Sequence, residues 1–218
     1  MNECRTLRVT GSGMIRLKPD TVRITMTLEG VERAYAETLH RSAADTEMLR
    51  NAIGTIGFAR EDLKTRNFNV QTEYEGYQED GVYRQRLVGY RFRHELVIEF
   101  PWENERLGAV LNAITETALV PEIRITYTVK DREAAKNALI GMAVADAKAK
   151  AEALTQAAGV KLLGIRHIQY AIDENEFAVH PVLYAGAARK MCADNAAPEI
   201  VPEEITAEDT VTVVWAIE

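Results

Sequence analysis

The side chains with which this chain could do chemistry are few and scattered. The four histidines are His40, His94, His167 and His180, and none stands in an HExxH motif or another metal-ligand spacing. His94 falls on the apolar side of a strand pattern, where a hydrogen-bonded core histidine is more common than a metal ligand. The sequence therefore predicts no metal site and no cofactor.

The Gly-Ser-Gly at residues 11–13 has the composition of a phosphate-binding loop but not its setting. Such a loop needs a helix N-terminus directly after the glycines, to present backbone N–H groups to the phosphate. Here a strand and a Pro-Asp turn follow, so the glycines indicate a bulge or a close backbone approach to the strand. The only two serines, Ser12 and Ser42, lie outside any GxSxG elbow. Neighbouring acids such as Glu61 and Asp62 do not form a pair across a cleft, so no enzymatic activity is predicted.

Arg91 and Arg93 belong to the one basic concentration in the chain and share one face of a long strand pattern. They are candidates for contact with an anion or an acidic partner. Glutamates follow them on the same face, however, so cross-strand ion pairs with acidic neighbours are the simpler explanation of the arginines. Both interpretations stay open at this point.

The elements that carry these residues are strand pairs alternating with helices. Val22, Ile24, Met26 and Leu28 alternate with polar residues, which predicts a half-buried strand that forms a hairpin with an extended segment at 7–17. Residues 75–82 are expected to connect a second hairpin. The order ββα-ββα-βα-ββ predicts the α+β class, with mainly antiparallel sheets and helices packed on one face. Residues 1–218 are expected to form a single domain, or two small intertwined subdomains.

Three helices are predicted, at about 32–56, 102–118 and 131–158. The third has Asp131 as its N-cap and is closed by Gly159. For the first helix the expected buried face is Leu39, Thr46, Leu49, Ile53 and Ile56. For the third it is Ala135, Ala138, Leu139, Met142, Ala145, Ala149 and Ala153, whose small size implies close approach to a sheet or a partner helix.

Residues 172–204 form a long irregular loop, which is unusual inside a compact domain. The loop carries apolar residues that need a surface to cover, and they are candidates for a subunit interface: Phe177, Val179, Val182, Leu183 and Tyr184. The alternative is that they fold back on the core of their own chain.

Bulk properties exclude several classes of function. The chain has 218 residues, 47% of them hydrophobic, and a formal net charge of -7. That charge argues against nucleic-acid binding, and no apolar run is long enough to span a membrane, so a soluble protein is expected. Cys4 and Cys192 have no zinc-ligand spacing, and whether they pair is open. The chain as written shows no signal peptide, which predicts a cytoplasmic protein, or one of the cell envelope or periplasm if an export signal was removed.

Several motifs in a fixed order resemble the SIMPL-domain family, which includes periplasmic immunogenic proteins of bacteria. They are Val9-Thr10-Gly11-Ser12-Gly13 before Lys18-Pro19-Asp20, Gly57 before Glu61-Asp62-Leu63-Lys64-Thr65, Gly89-Tyr90-Arg91, and the alanine-rich stretch 143–159 followed by Leu163-Gly164. The resemblance covers nearly the whole chain.

The resemblance implies an α+β fold and, as in at least one member, assembly into a large ring-like oligomer. It supplies no agreed activity and no catalytic residues. Most bacterial members carry a signal peptide, from which this chain departs. The first hypothesis is therefore a non-enzymatic protein that forms a homo-oligomer through its sheets and the 172–204 segment. The second is a binding module for a small molecule or peptide, in a groove between sheet and helices.

Overall fold

A computed structural model describes residues 5–170, 177–179 and 201–218. These residues divide into two compact units. Unit 1 contains residues 5–19, 128–170, 177–179 and 203–218, and unit 2 contains residues 20–127 with 201–202.

The strands are β1 (Thr6–Leu17), β2 (Thr21–Glu32), β3 (Lys64–Glu79), β4 (Val82–Pro101), β5 (Glu122–Thr128), β6 (Leu162–Gln169), β7 (Ala178–Val179) and β8 (Ile205–Ile217). The helices are α1 (Tyr35–Gly54), α2 (Asn104–Thr115) and α3 (Arg132–Ala158), with a short 3-10 helix at Arg60–Asp62. Two antiparallel sheets and three helices confirm the predicted α+β class.

In unit 2 the strands lie side by side in the order β3-β4-β2-β5, with α1 and α2 on one face. The alternation predicted for β2 is confirmed, because Val22, Ile24, Met26 and Leu28 are all buried. They pack with apolar residues of β4, α1 and α2 into one core. The opposite face of β2 and β4 carries hydroxyl and charged side chains.

In unit 1 the sheet has the order β1-β8-β6, and α3 lies across β1 and β8. The predicted caps of α3 are confirmed: the Asp131 carboxylate accepts a hydrogen bond from the Ala134 N–H at 2.8 Å, and Gly159 has the left-handed φ of 68°. The predicted buried face of α3 is confirmed at Ala135 and Leu139 but wrong at Ala138 and beyond Leu139. The buried row runs at every fourth residue through Ala143, Ala147 and Ala151, whereas Met142 is 47% exposed.

The row consists of small residues because α3 lies very close to β1 at Gly11 and Gly13. A Cβ at Gly11 would overlap the carbonyl oxygen of Ala143, and one at Gly13 would overlap that of Leu139. The close-approach interpretation of the two glycines is therefore confirmed. The N–H of Ser12, between them, donates to the Asp146 carboxylate at 2.8 Å, so the contact also includes a polar bond between strand and helix.

The predicted hairpin of β1 and β2 is wrong. Leu7 pairs with Trp215 of β8, and Val22 pairs with Phe100 of β4, so the two consecutive strands belong to different sheets. The Pro-Asp turn between them ends one strand and starts another, and the Asp20 carbonyl accepts from the Trp102 N–H at 2.9 Å. A turn signal alone does not say whether the chain reverses into the same sheet.

The predicted hairpin of the third and fourth strands is confirmed, but its connection is shorter than residues 75–82, because β3 and β4 continue through most of that range as paired strands. Only Asp80 and Gly81 form the turn, with φ of 52° and 77°. Two consecutive positive φ angles are typical of a type I′ hairpin turn, for which Asp-Gly is a strong signal.

Candidate interaction surface

The end of the β3–β4 hairpin lies beyond the rest of its sheet. β2 pairs with β4 only as far as Tyr90, whereas β3 and β4 remain paired to Glu79 and Val82. Residues 73–79 and 82–89 therefore form a two-stranded segment, here called the ribbon. An isolated pair of strands is marginally stable in water, so a ribbon of this kind usually gains stability from another surface.

The two faces of the ribbon differ in charge. One face is uncharged and consists of three facing pairs: Tyr74 with Leu87, Gly76 with Gln85, and Gln78 with Tyr83. On this face Tyr74 is 55%, Tyr83 72% and Leu87 50% exposed. Large exposed apolar and aromatic side chains at this density are typical of an interaction surface.

The other face of the ribbon neutralises its own charges. Arg86 lies 2.7 Å from the Glu75 carboxylate, and Arg84 lies 3.0 Å from that of Glu79. The Arg86 guanidinium also lies over the Tyr77 ring, 5.8 Å from its centroid. The ribbon can therefore meet another acidic molecule without a large electrostatic penalty.

β3 is also the terminal strand of its sheet. β4 is its neighbour on one side, and no strand among residues 5–170, 177–179 and 201–218 pairs with its other edge. A bulge at Arg66 interrupts the start of the strand, but pairing with β4 is regular from Asn67 to Glu73. An edge of this length, without proline, is a template for pairing with a further strand.

A shallow groove of about 370 Å³ runs between α1 and β3. Its lining is mainly apolar at the rim and hydroxylated at the floor: Leu39, Ser42, Ala43, Thr46, Glu47, Arg50, Thr65, Phe68 and His94. The predicted buried face of α1 is confirmed at Thr46, Leu49 and Ile53 but wrong at Leu39. Thr38, Ser42 and Thr46 face the sheet, and Leu39 is 37% exposed.

His94 is the polar centre of the groove floor. Its Nδ1 lies 3.2 Å from the hydroxyls of both Ser42 and Thr46, and its Nε2 lies 2.9 Å from that of Thr65. The Thr46 hydroxyl donates to the Ser42 carbonyl at 2.7 Å, so toward the ring its oxygen acts as an acceptor. The contact with Thr46 is therefore a hydrogen bond only in the tautomer with the proton on Nδ1, in which Nε2 accepts from the Thr65 hydroxyl.

This arrangement is not that of a nucleophile and its base. A catalytic triad has a carboxylate on one ring nitrogen and an exposed hydroxyl on the other. Here hydroxyls occupy both nitrogens, in place of a carboxylate on one of them; Ser42 is 2% exposed, whereas Thr65 on Nε2 is exposed. The groove floor is a satisfied polar core, as the sequence interpretation of His94 expects.

Burial, followed by the nearby Arg50 charge, lowers the pKa of His94 below its ordinary 6.5. As the pH falls below about 6.5, the unfolded chain therefore takes up a proton before the folded chain does. The contribution of neutral His94 to the free energy of unfolding is complete above that pH and is lost as the pH falls through the lowered pKa. We expect the melting temperature to fall more steeply between pH 7 and 5 in the wild type than in His94→Gln, which cannot titrate.

The control for this measurement is His40→Gln, whose side chain is exposed on α1. It should keep the wild-type pH dependence. Equal slopes for the wild type and His94→Gln would contradict the assignment of His94 as a buried neutral group.

Glu47 at the mouth of the groove is held by two arginines. The Arg60 guanidinium, and then that of Arg50, lower the pKa of Glu47 to about 2. The carboxylate therefore stays charged and paired rather than serving as a proton acceptor at neutral pH.

The two arginines singled out in the sequence lie on the sheet face opposite the groove. Arg91 pairs with Glu73 at 2.7 Å and with Glu29 at 3.7 Å. Arg93 pairs with Glu29, with Glu95 at 3.7 Å and with Glu122 at 3.9 Å. Apart from Arg93 with Glu95, which lie on the same strand, these are the cross-strand ion pairs of the simpler interpretation, and contact with an anion or an acidic partner remains a prediction.

The candidate interface residues of the 172–204 loop divide into two groups. Phe177, which is 4% exposed, and the half-buried Val179 pack in unit 1 with Val129, Leu139 and Ile205. This is the fold-back alternative. Val182, Leu183 and Tyr184 lie outside the described residues, as do Cys4 and Cys192.

Sequence reasoning expected a groove between sheet and helices but missed its residues and the ribbon, although each had a signal. Asp80-Gly81 marks the true turn of the hairpin, and the spacing of Thr38, Ser42 and Thr46 puts three hydroxyls on one helical face. None of the helices in the described ranges is long and apolar enough to cross a bilayer.

A comparison with protein-family models gives a match over residues 7–215 to the SIMPL family, described as a protein of unknown function (DUF541). The match spans almost the entire chain and both structural units. No curated protein matches the sequence.

Proposed function

The chain belongs to the SIMPL family, and from that premise we propose that it is a non-enzymatic protein that acts by assembling with copies of itself. The family description assigns no activity, so the proposal rests on surfaces. The observation that carries it is the β3 edge together with the uncharged face of the ribbon.

The exposed aromatic residues of the ribbon support assembly on energetic grounds. Burial of a large aromatic side chain in an interface contributes more than burial of most other residues, and tyrosine is enriched at such sites. Tyr74 and Tyr83 keep more than half of their surface in solvent in the isolated chain. A chain with a net charge of -7 would repel its own copies, but the ion pairs of the ribbon remove that repulsion locally.

The state of the polar groups in the groove supports the non-enzymatic part of the proposal. Each ring nitrogen of His94 is hydrogen-bonded, and Glu47 is held as a charged carboxylate by two arginines. A general base needs a pKa near the working pH and access to its substrate. Neither group meets both requirements.

Light scattering after size exclusion, over a wide range of protein concentration, tests the proposal. We expect a mass well above that of the 24.4 kDa monomer, with dissociation on dilution. A monomer at every concentration would overturn self-assembly.

A second candidate function is binding of a small molecule or a peptide in the groove between α1 and β3. Its volume of about 370 Å³ is sufficient for a small ligand, and its apolar rim with a few hydroxyls at the floor has the composition of many ligand sites. A metabolite that raises the melting temperature of the wild type, but not of Ser42→Leu, would favour this function. Failure of every compound in a broad panel would count against it.

A further inference from the structure

The regular part of β3 presents two distinct faces along its open edge. Phe68, Val70, Thr72 and Tyr74 lie on the core side of the sheet, and Asn67, Asn69, Gln71, Glu73 and Glu75 lie on the polar side. Phe68 contacts the His94 ring edge-on at 5.0 Å, yet 42% of its surface is exposed. Tyr74, on the same face, is 55% exposed.

Two copies that pair through the same edge of the same strand form a closed dimer only if the two strands run antiparallel about a two-fold axis. The core-side residues of one copy must also meet those of the other, since a slip of one residue would turn every side chain to the wrong face. The two-fold axis passes through one residue of β3, which then faces its own copy. Of the residues from Asn69 to Glu73, only Gln71 in this central position places Phe68 opposite Tyr74 of the second copy. An axis at Glu73 would instead place the Glu73 carboxylates of the two copies opposite each other.

The charges of β3 also favour the antiparallel arrangement. Lys64 and Arg66 lie near the start of the strand, whereas Glu73, Glu75 and Glu79 lie near its end. Antiparallel pairing brings the basic start of each strand beside the acidic end of the other. Parallel pairing would place like charges together.

From these observations, and on the proposed function that the chain assembles with itself, we propose that β3 pairs with β3 of a second copy about a two-fold axis at Gln71. Each Phe68 then lies opposite Tyr74 of the second copy, and the two sheets become one. Cross-strand aromatic pairs stabilise such an association beyond the area that they bury.

The register is tested by single cysteines in a background where Cys4 and Cys192 are replaced by serine. Opposed residues of antiparallel strands have Cα atoms about 4.5–5.5 Å apart, within disulfide range. Under mild oxidation we expect Gln71→Cys to give a covalent dimer on a non-reducing gel. On the same gel, Asn69→Cys alone and Glu73→Cys alone should each run mainly as a monomer. A mixture of the two variants should give the covalent dimer, because residue 69 of one copy faces residue 73 of the other.

The outcomes separate this inference from the proposed function. If the wild type is oligomeric but Gln71→Cys cross-links no better than Asn69→Cys alone, the β3 register is overturned and self-assembly stands. If light scattering finds a monomer at every concentration, both fail.

A pair of variants tests the aromatic contact without relying on cross-linking. Tyr74→Lys should raise the dissociation constant by about tenfold, because it removes both aromatic pairs of the dimer. Val120→Lys places the same charge on an apolar residue that is 94% exposed and lies outside the ribbon and β3, so it should leave the dissociation constant nearly unchanged. Equal effects of the two variants would contradict pairing through β3.

Discussion

Replacement of Phe177 by alanine is expected to lower the free energy of unfolding of unit 1 by about 3–5 kcal/mol, the usual range for a buried phenylalanine. The ring is almost fully buried among Val129, Leu139 and Ile205. Its backbone is fixed as well, since the Phe177 carbonyl accepts from the Thr128 hydroxyl at 2.6 Å. Loss of the ring leaves a cavity that residues held on strands and a helix cannot easily fill.

Chemical denaturation followed by circular dichroism measures this loss, with Val120→Ala as the control. Val120 is 94% exposed, so its truncation should change stability very little. The mass of the assembled protein should be the same in both variants. A Phe177→Ala protein that unfolds like the wild type but dissociates would identify Phe177 as an interface residue, which is the first interpretation drawn from the sequence.

Gly11→Val is expected to destabilise unit 1 by about 3 kcal/mol, at the upper end of the range for overpacked sites. Valine is a better strand residue than glycine, so propensity alone predicts the opposite sign. The side chain would, however, overlap the backbone of α3 at Ala143 and Ala147, which cannot rotate away as a side chain could. The expected loss of stability therefore reports how closely α3 approaches β1 at Gly11.

Gly141→Ala is the matched control for that experiment. Gly141 lies in the middle of α3, is exposed, and a Cβ there meets no atom within 4 Å. Alanine should raise stability by up to about 1 kcal/mol through helix propensity. Thermal melts in which Gly11→Val and Gly141→Ala shift in the same direction would contradict the packing described for α3.

The sequence predicts the structure best where a local pattern is sufficient to specify an element. The alternation in β2 predicts its buried residues, and Asp131 and Gly159 predict the ends of α3, because periodicity and caps are local properties. The partners of β1 and β2 are not local. Nothing within residues 7–29 indicates that β1 pairs with a strand at the other end of the chain, and the short turn favoured a hairpin instead.

The candidate surface was harder to predict for a related reason. The two glycines of residues 75–82 predict a loop there, but Gly76 lies on a strand where the Tyr83 ring occupies the space that a side chain would fill. Exposure of Tyr74 and Tyr83 depends on where β2 ends beside β4, which no residue of the ribbon encodes. Likewise, the hydroxyls of Ser42 and Thr46 count as polar in any pattern, and only the position of His94 on a neighbouring strand gives them a buried partner.

Unit 1 is built from separate segments of the chain, and this has a consequence for synthesis of the protein. Residues 20–127 form an uninterrupted run, and every strand from β2 to β5 has left the ribosome long before β8 is made. β1 precedes all of these strands, yet Leu7 pairs with Trp215 of β8, which is translated after them. Contacts this distant along the chain form slowly. The nascent chain therefore carries β1 without its partner until the thirteen-residue β8 has been made, and a ribosome stalled before Ile205 leaves unit 1 without its central strand.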